Sequence, residues 1–386
     1  MNSSDPLTPD ALTLDSKARK VAVLGAGSWG TTFSKILADG GADVALWARR
    51  PELARELTES HRNSDYLPGI NLPRGIRGNA SLPTVLDGAE QVYLSVPSQS
   101  LRENLAAVRD LIPADAIVVS LMKGVEKGTG LRMSEVIEQV LGIDPDRIAV
   151  VSGPNLALEI AKEQPTAAVV SSRDLDTATL VAMTATNPYF RSFVNTDVIG
   201  TEFGGVLKNL IAVAIGIVDG VGYGENTKAS IITRGLVEMT DFAVAYGGHP
   251  ETLSGLAGLG DLIATSGSSL SRNDTAGRLL GQGYSFSDVV KSMQQTAEGL
   301  ASVAPVLALA AAKGVDMPIC RQVSEVLAGT LDPKDIAPHL TTDDDSGPQG
   351  ERTLDARQDQ GGGAFRRSLQ RAFDQLRNGG RGSRRD

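Results

Sequence analysis

A lysine interrupts an almost wholly apolar run. From Glu202 to Val218 the chain reads EFGGVLKNLIAVAIGIV, with Lys208 and Asn209 in its first half. Such a run predicts a helix buried on all sides. A lysine there is costly unless something pairs with it, because burial disfavours the charged form. The plainer reading is that Lys208 lies along apolar surface with its ammonium in water. The sharper one is a proton-transfer lysine whose acidity is tuned by burial and neighbours.

A second constellation supplies a partner for such chemistry. The strand-like KVAVL (Lys20 to Leu24) leads directly into GAGSWG and then a helical TTFSKILADGG. A strand, a Gly-x-Gly-x-x-Gly turn and a helix, in that order, form the dinucleotide fingerprint. Gly25 permits the tight turn, Gly27 lets the backbone approach a pyrophosphate, and Gly30 lets helix and strand pack closely. The helix N-terminus offers N–H groups and a positive dipole end to the phosphates. The next strand, DVALW, ends in Ala48, Arg49 and Arg50. An NAD-selective site places a carboxylate near this point, whereas arginine suits a 2′-phosphate. NADPH is therefore favoured, with dual use left open. The alternative for Arg50 is a cap on the helix that begins at Pro51.

Polar residues at other element ends complete the list. Lys123 closes the strand AIVVSLMKG and Asn155 closes RIAVVSGPN. In open α/β sheets ligands bind beyond the carboxyl ends of strands. The alternative for Lys123 is an exposed loop lysine. Asp261 follows the glycine-rich LSGLAGLG, where helix capping is the plainer role. Arg272, in SRND before TAGRLLGQG, is either an anion-binding group at a helix start or a solvated charge. Glu298 in TAEGLAS reads as a first-turn acid. If Lys123, Lys208 and Arg272 converge, they make a pocket for a phosphorylated or carboxylated substrate.

The elements that must position these residues fall into two runs. Strand and helix alternate through QVYLSV, AIVVSLMKG, RIAVVSGPN, TAAVVSS and FRSFVNT, and from Val198 the signals are helical to about Leu340. The fold class expected is α/β: a Rossmann-type dinucleotide-binding domain over residues 19–197, then an all-helical substrate and dimerisation domain over 198–340. Residues 1–18 read as a flexible lead. The cleft between domains is a common place for a small-molecule site.

Composition bounds the remaining classes. The 386 residues carry a net charge of −9, which argues against general nucleic-acid binding. One cysteine, Cys320, excludes a disulfide framework and a cysteine-rich zinc site, and His61, His249 and His339 lack ligand spacing, so no metal is expected. The polar, acidic start predicts no secretory signal. Glu202, Lys208 and Asp219 interrupt the longest apolar stretch. A small-molecule role in a reducing cytoplasm follows.

The ordered set GAGSWGTT, LWARR, NSDYLPG, LSVPSQ, SLMKGVEKGTG, SGPNLALEIA, NPYFR, EFGGVLKN, DGVGYGENTKASIITRG, GLAGLGDL, SRN and AEG runs from about Lys20 to about Leu331. It closely resembles the NAD(P)-dependent glycerol-3-phosphate dehydrogenases of the bacterial type. The resemblance implies reduction of dihydroxyacetone phosphate to sn-glycerol 3-phosphate for phospholipid synthesis, by a homodimer. It implies that Ser28, Trp29, Arg49, Arg50, Ala157 and Glu298 contact the cofactor, and that Lys123 touches both cofactor and substrate. Gly153, Asp261, Ser271, Arg272 and Asn273 would serve the substrate, with Arg272 also reaching the cofactor. Lys208 would donate and accept the proton. The family often has serine where this chain has Asn155, whose amide still offers a hydrogen bond. The rivals are a lysine-dependent β-hydroxyacid dehydrogenase, against which SRN and GLGDL argue, and a non-catalytic NADPH sensor, which needs no proton donor.

The resemblance stops before the tail. TTDDDSGPQGERTLDARQDQGGG reads as disordered. AFRRSLQRAFDQLRN places Phe365, Leu369, Phe373 and Leu376 on one helical face, with Arg366, Arg367, Arg371 and Arg377 largely elsewhere. This is a short basic amphipathic helix, either without a partner or docking weakly on an anionic membrane or a protein.

Overall fold

A computed structural model describes residues 19–268, 271–293 and 297–336, apart from the side chain of Glu298. The expected flexible lead, the disordered tail and its amphipathic helix lie outside the described residues. Strands β1 (Lys20–Leu24), β2 (Asp43–Trp47), β3 (Ile76–Asn79), β4 (Gln91–Leu94), β5 (Ile117–Ser120), β6 (Ile148–Ser152), β7 (Thr166–Ser172) and β8 (Phe190–Asn195) form one sheet, ordered β3-β2-β1-β4-β5-β6-β7-β8. Neighbours are parallel except β6 and β7.

Both faces of the sheet are covered, as a parallel sheet requires. On β1, Val21 and Val23 join one core with Phe33 and Leu46, while Ala22 and Leu24 join another with Val92 and Leu94. The first strand feeds β2 on one side, and the chain then returns to place β4 on the other. That reversal opens a crevice beyond the carboxyl ends of β1 and β4. Leu24 pairs with Trp47 and Leu94, and Leu94 with Ser120, so three loops carrying candidate residues emerge at one level.

The sequence pattern does not mark β3. IRGN has one buried residue, Ile76, and is held by pairing with β2 and by the close approach of α2 (Pro51–Glu59). A Cβ on Gly78 would come within 2.6 Å of the Ala54 carbonyl oxygen.

The helical half is built around the central helix, Val198–Val221, which extends the expected run at both ends. Asp197 caps its start by accepting from the Gly200 N–H at 2.8 Å. Its length and composition match those of a membrane span, yet 83% of its most apolar window is buried inside the protein. Helix Arg272–Gly281 lies almost backbone to backbone on it. A Cβ on Gly277 would sit 2.2 Å from the Val213 carbonyl oxygen, and one on Gly281 2.1 Å from that of Ile217. Only glycine admits this approach, and it brings Asn273 against Asn209. Near the start of the central helix, buried Glu202 accepts from Arg132 Nη1 at 2.6 Å and from the Ser134 N–H at 2.9 Å, tying the helix to the start of helix Met133–Leu141.

A second buried acid braces this half. Glu238, in helix Glu225–Ala245, accepts from the Ile319 N–H at 2.6 Å and the Cys320 N–H at 3.4 Å, in the first turn of helix Pro318–Ala328. Burial pushes its carboxyl up to about 7, against the downward pull of those N–H groups. The folded state therefore binds this proton more tightly than the unfolded state does. Stability from Glu238 is full below the ordinary value of 4.5 and is lost as pH rises through about 7. Glu238→Gln keeps an acceptor for Ile319 and removes the titration. Its melting temperature relative to wild type should climb between those two pH values and then level off. A flat difference across that window contradicts this account.

Candidate active site

The cleft beyond β1 and β4 is assembled from the glycine turn outward. Gly25 has φ +121°, and a Cβ there would lie 2.2 Å from the Ser95 carbonyl oxygen. Gly30, in α1 (Ser28–Asp39), faces the Gly25 carbonyl oxygen so closely that a Cβ would lie 1.9 Å from it. Gly27 differs: a Cβ there would meet nothing within 4 Å, and the residue lines the cleft. Among the described residues, no packing requires glycine at that place. The open space suits a group brought close to the backbone, and no side chain caps the start of α1. The turn therefore fits a dinucleotide pyrophosphate.

Around that turn, Ser28, Trp29, Arg49, Arg50 and Ala157 line the cleft. Both arginines are exposed, and Arg50 pairs with Asp65 rather than capping the helix it precedes. The loop carrying Asp65 is bolted to the turn. Buried Asn63 donates through Nδ2 to the Ala26 carbonyl oxygen at 3.0 Å and to Thr31 Oγ1 at 2.7 Å.

The chemistry gathers at the other end of the same cleft, which Lys123, Lys208, Ser271, Arg272 and Asn273 line. Lys208 does not reach for water. It is 7% exposed, donates to Thr265 Oγ1 at 2.6 Å and lies 3.0 Å from Asp261 Oδ1. Lys123 is no exposed loop lysine either. Its Nζ lies 2.6 Å from Asp261 Oδ2 and donates to the Gly153 carbonyl oxygen at 3.0 Å. Gly205 in the central helix makes room for its stem, since a Cβ there would lie 3.2 Å from Lys123 Cγ.

Asp261 is thus a buried counter-ion shared by two ammonium groups. Burial alone would push its carboxyl up, but the charges of Lys123 and Lys208 outweigh this and hold it below the ordinary carboxylate range. A π-helical turn, Leu256–Gly260, delivers Asp261 to this place and packs on the central helix at Gly204. Asp261 and Gly153 sit behind the lysines rather than on the cleft wall. Arg272, exposed at the start of its helix, joins Lys123 and Lys208 on that wall, so the three expected cations share one cleft.

Two polar features go beyond the expected set. Thr265 accepts from Lys208 and donates to Asp261 Oδ1 at 3.1 Å, and its i,i+4 spacing from Asp261 was the readable signal. Asn209 accepts from Asn273 Nδ2 at 2.8 Å, and Asn273 Oδ1 accepts from the Gly299 N–H at 3.0 Å. This relay connects the central helix to the start of helix Glu298–Lys313. Glu298 itself has no described side chain, so its expected cofactor contact lies outside the described residues. The expected Asn155 lines the cleft with both Nδ2 and Oδ1 buried and, among the described residues, without a hydrogen-bond partner. An amide with both ends unsatisfied is suited to a ligand carrying hydroxyl or carbonyl oxygen.

Comparison with known proteins agrees with this geometry. Residues 20–178 match the family model for the NAD-dependent glycerol-3-phosphate dehydrogenase N-terminus, and residues 197–338 match that for its C-terminus. The chain is 74% identical over 369 residues to a glycerol-3-phosphate dehydrogenase [NAD(P)+] of Leifsonia xyli, covering 94% of this chain and 100% of the relative. It is 54% identical over 322 residues to the protein of the same name from Frankia casuarinae, covering 83% and 96%. A crystal structure of glycerol-3-phosphate dehydrogenase from Coxiella burnetii superposes with a TM-score of 0.78 at 36% identity, covering 84% of this chain and 98% of that one. The chain belongs to the NAD-dependent glycerol-3-phosphate dehydrogenase family.

Proposed function

We propose that this protein reduces dihydroxyacetone phosphate reversibly to sn-glycerol 3-phosphate, with NADPH preferred over NADH and Lys208 as the proton donor. The observation that carries the reading is the buried Lys208 ammonium, held by Asp261 and Thr265 on the wall of a cleft whose other end is the glycine turn. When bound, the reduced nicotinamide supplies hydride to C2 of the ketone. Negative charge then grows on the carbonyl oxygen, and Lys208 Nζ gives that oxygen its proton. In the reverse direction neutral Lys208 takes the proton back. Asp261 keeps the ammonium charged between turnovers, and Thr265 fixes its direction.

The other roles follow from position. Arg272, Ser271 and Asn273, at a helix start, bind the substrate phosphate, and this binding orients C2. Lys123 adds a second positive charge that reaches both ligands, and the Asn155 amide meets the substrate oxygens. Gly25, Gly27, Gly30, Ser28, Trp29 and Ala157 receive the dinucleotide, Arg49 and Arg50 its 2′-phosphate, and Glu298 approaches it from the helical half. The division at residues 197 and 198, a homodimer, and a cytoplasmic supply of glycerol 3-phosphate for phospholipid synthesis complete the reading. Weak docking of the tail on a membrane or partner is a separate proposal. It fails if a tail-less protein cosediments with anionic vesicles as well as the full chain.

The test is consumption of reduced nicotinamide by the purified protein with dihydroxyacetone phosphate, once with NADPH and once with NADH. The expected result is turnover with both and higher kcat/KM with NADPH. The double substitution Arg49→Ala, Arg50→Ala should lower kcat/KM for NADPH by roughly tenfold or more, since hydrogen bonds to charged groups contribute about 1.5–3 kcal/mol. The value for NADH should be nearly unchanged. No turnover from protein that still binds cofactor overturns the substrate assignment.

A further inference from the structure

The Arg50 guanidinium is already engaged. It pairs with the Asp65 carboxylate and lies 5.9 Å from the centre of the Tyr66 ring. Arg49, its neighbour, has no carboxylate partner among the described residues. Asp65 is not a wandering surface acid. The buried Asn63 side chain fixes the loop to the glycine turn, and Asn63 Oδ1 accepts from the Tyr66 N–H at 3.2 Å. The Ser28 hydroxyl donates to the Tyr66 carbonyl oxygen, which adds a second tie at the same place. Tyr66 and both arginines line the cleft. A negative charge is therefore held beside one of the two cations expected to receive a 2′-phosphate.

We infer that Asp65 sets how strongly this site discriminates between dinucleotides with and without a 2′-phosphate, by occupying Arg50. The inference rests on the reading of Arg49 and Arg50 given above. A phosphate approaching Arg50 must share the guanidinium with a carboxylate that repels it. A 2′-hydroxyl is neutral and meets no such penalty. The pair does little for the fold, because its side chains are 51% and 53% exposed and an ion pair in water contributes little to stability. Its cost therefore falls on one cofactor, and it keeps the site open to both. Arg49 carries the larger share of phosphate recognition while Asp65 is present.

Binding to the full-length protein without substrate tests this directly. NADP+ and NAD+ are titrated calorimetrically, at one fixed low ionic strength, into wild type, Asp65→Asn, Arg50→Ala, Asp65→Asn with Arg50→Ala, and Arg49→Ala with Arg50→Ala. Asp65→Asn should tighten NADP+ by roughly two- to fivefold, the scale of an exposed charge pair, and leave NAD+ unchanged. In the Arg50→Ala background the gain should shrink. Unchanged or weaker NADP+ binding overturns the inference, as does an equal shift for both dinucleotides or an undiminished gain without Arg50. If the double arginine variant keeps the wild-type NADP+ to NAD+ ratio, the arginine reading itself has failed. If that variant loses the ratio while Asp65→Asn changes nothing, only Asp65 is discarded.

Discussion

Lys208→Ala is expected to fold like wild type, bind dinucleotide like wild type and lose roughly 10²–10⁴-fold in kcat, the usual size of a general acid–base contribution. The fold should survive because the substitution leaves no orphaned charge. Asp261 keeps Lys123 at 2.6 Å and still accepts from Thr265 at 3.1 Å. The loss should be catalytic because among the groups at this end of the cleft Lys208 combines a transferable proton with a fixed direction. Lys208→Arg separates proton transfer from charge. Arginine keeps the positive charge but does not give up its proton in proteins, so it should also fail, with substrate binding better preserved than in the alanine variant. The measurements are kcat and KM with dihydroxyacetone phosphate, a dinucleotide titration and a thermal melt. An alanine variant that keeps a tenth of wild-type kcat removes Lys208 from the role.

What the sequence disclosed depends on how local each signal is. The glycine turn was readable because a strand, three glycines and a helix follow one another without interruption from Lys20 to Asp39. Lys208 was readable because a charge inside an apolar helix is conspicuous without knowing its partners. Its partners were not readable. Asp261 lies 53 positions further on, and Lys123 is 138 positions from Asp261. Only the packing of a π-helical turn on Gly204 brings the three together. For the same reason the plainer reading of Asp261 as a cap fails: the local sequence shows a helix start but not the two lysines above it.

The missed pieces share this character. The strand β3 exists through its pairing with β2, and its own four residues carry one buried side chain. The Asn209–Asn273 bond depends on two helices meeting at glycines, and nothing in either helix alone announces the other. The antiparallel entry of β7 is a matter of topology. Charge engagement is equally hidden. Arg49 and Arg50 are both assigned to the 2′-phosphate from sequence, yet the loop between α2 and β3 supplies a carboxylate to one of them.

Asp261→Asn attacks the same centre from the opposite side, and its expected effects are wider. The carboxylate is 1% exposed and is the counter-ion for two ammonium groups. An isosteric amide keeps the shape and cancels the charge, leaving two like charges close together in a buried setting. Removing one partner of a buried ion pair costs about 3–5 kcal/mol, so the melting temperature should fall by many degrees at neutral pH. The sign is set by the depressed carboxyl. In wild type this stability is present above the ordinary value of 3.8 and disappears as pH falls through the lower folded value, so the two proteins should converge in acid. Activity should change shape as well as size. With Asp261 neutral, Lys208 loses the carboxylate whose charge is coupled to its own, which favours loss of its proton. Reduction needs protonated Lys208, so its alkaline limb should move to lower pH. Oxidation needs neutral Lys208, so at neutral pH it should suffer less than reduction does. A variant with lowered kcat but an unmoved pH profile in both directions would show that Asp261 holds the lysine in place without setting its charge. Such a result would return the proton affinity of Lys208 to Thr265 and to burial alone.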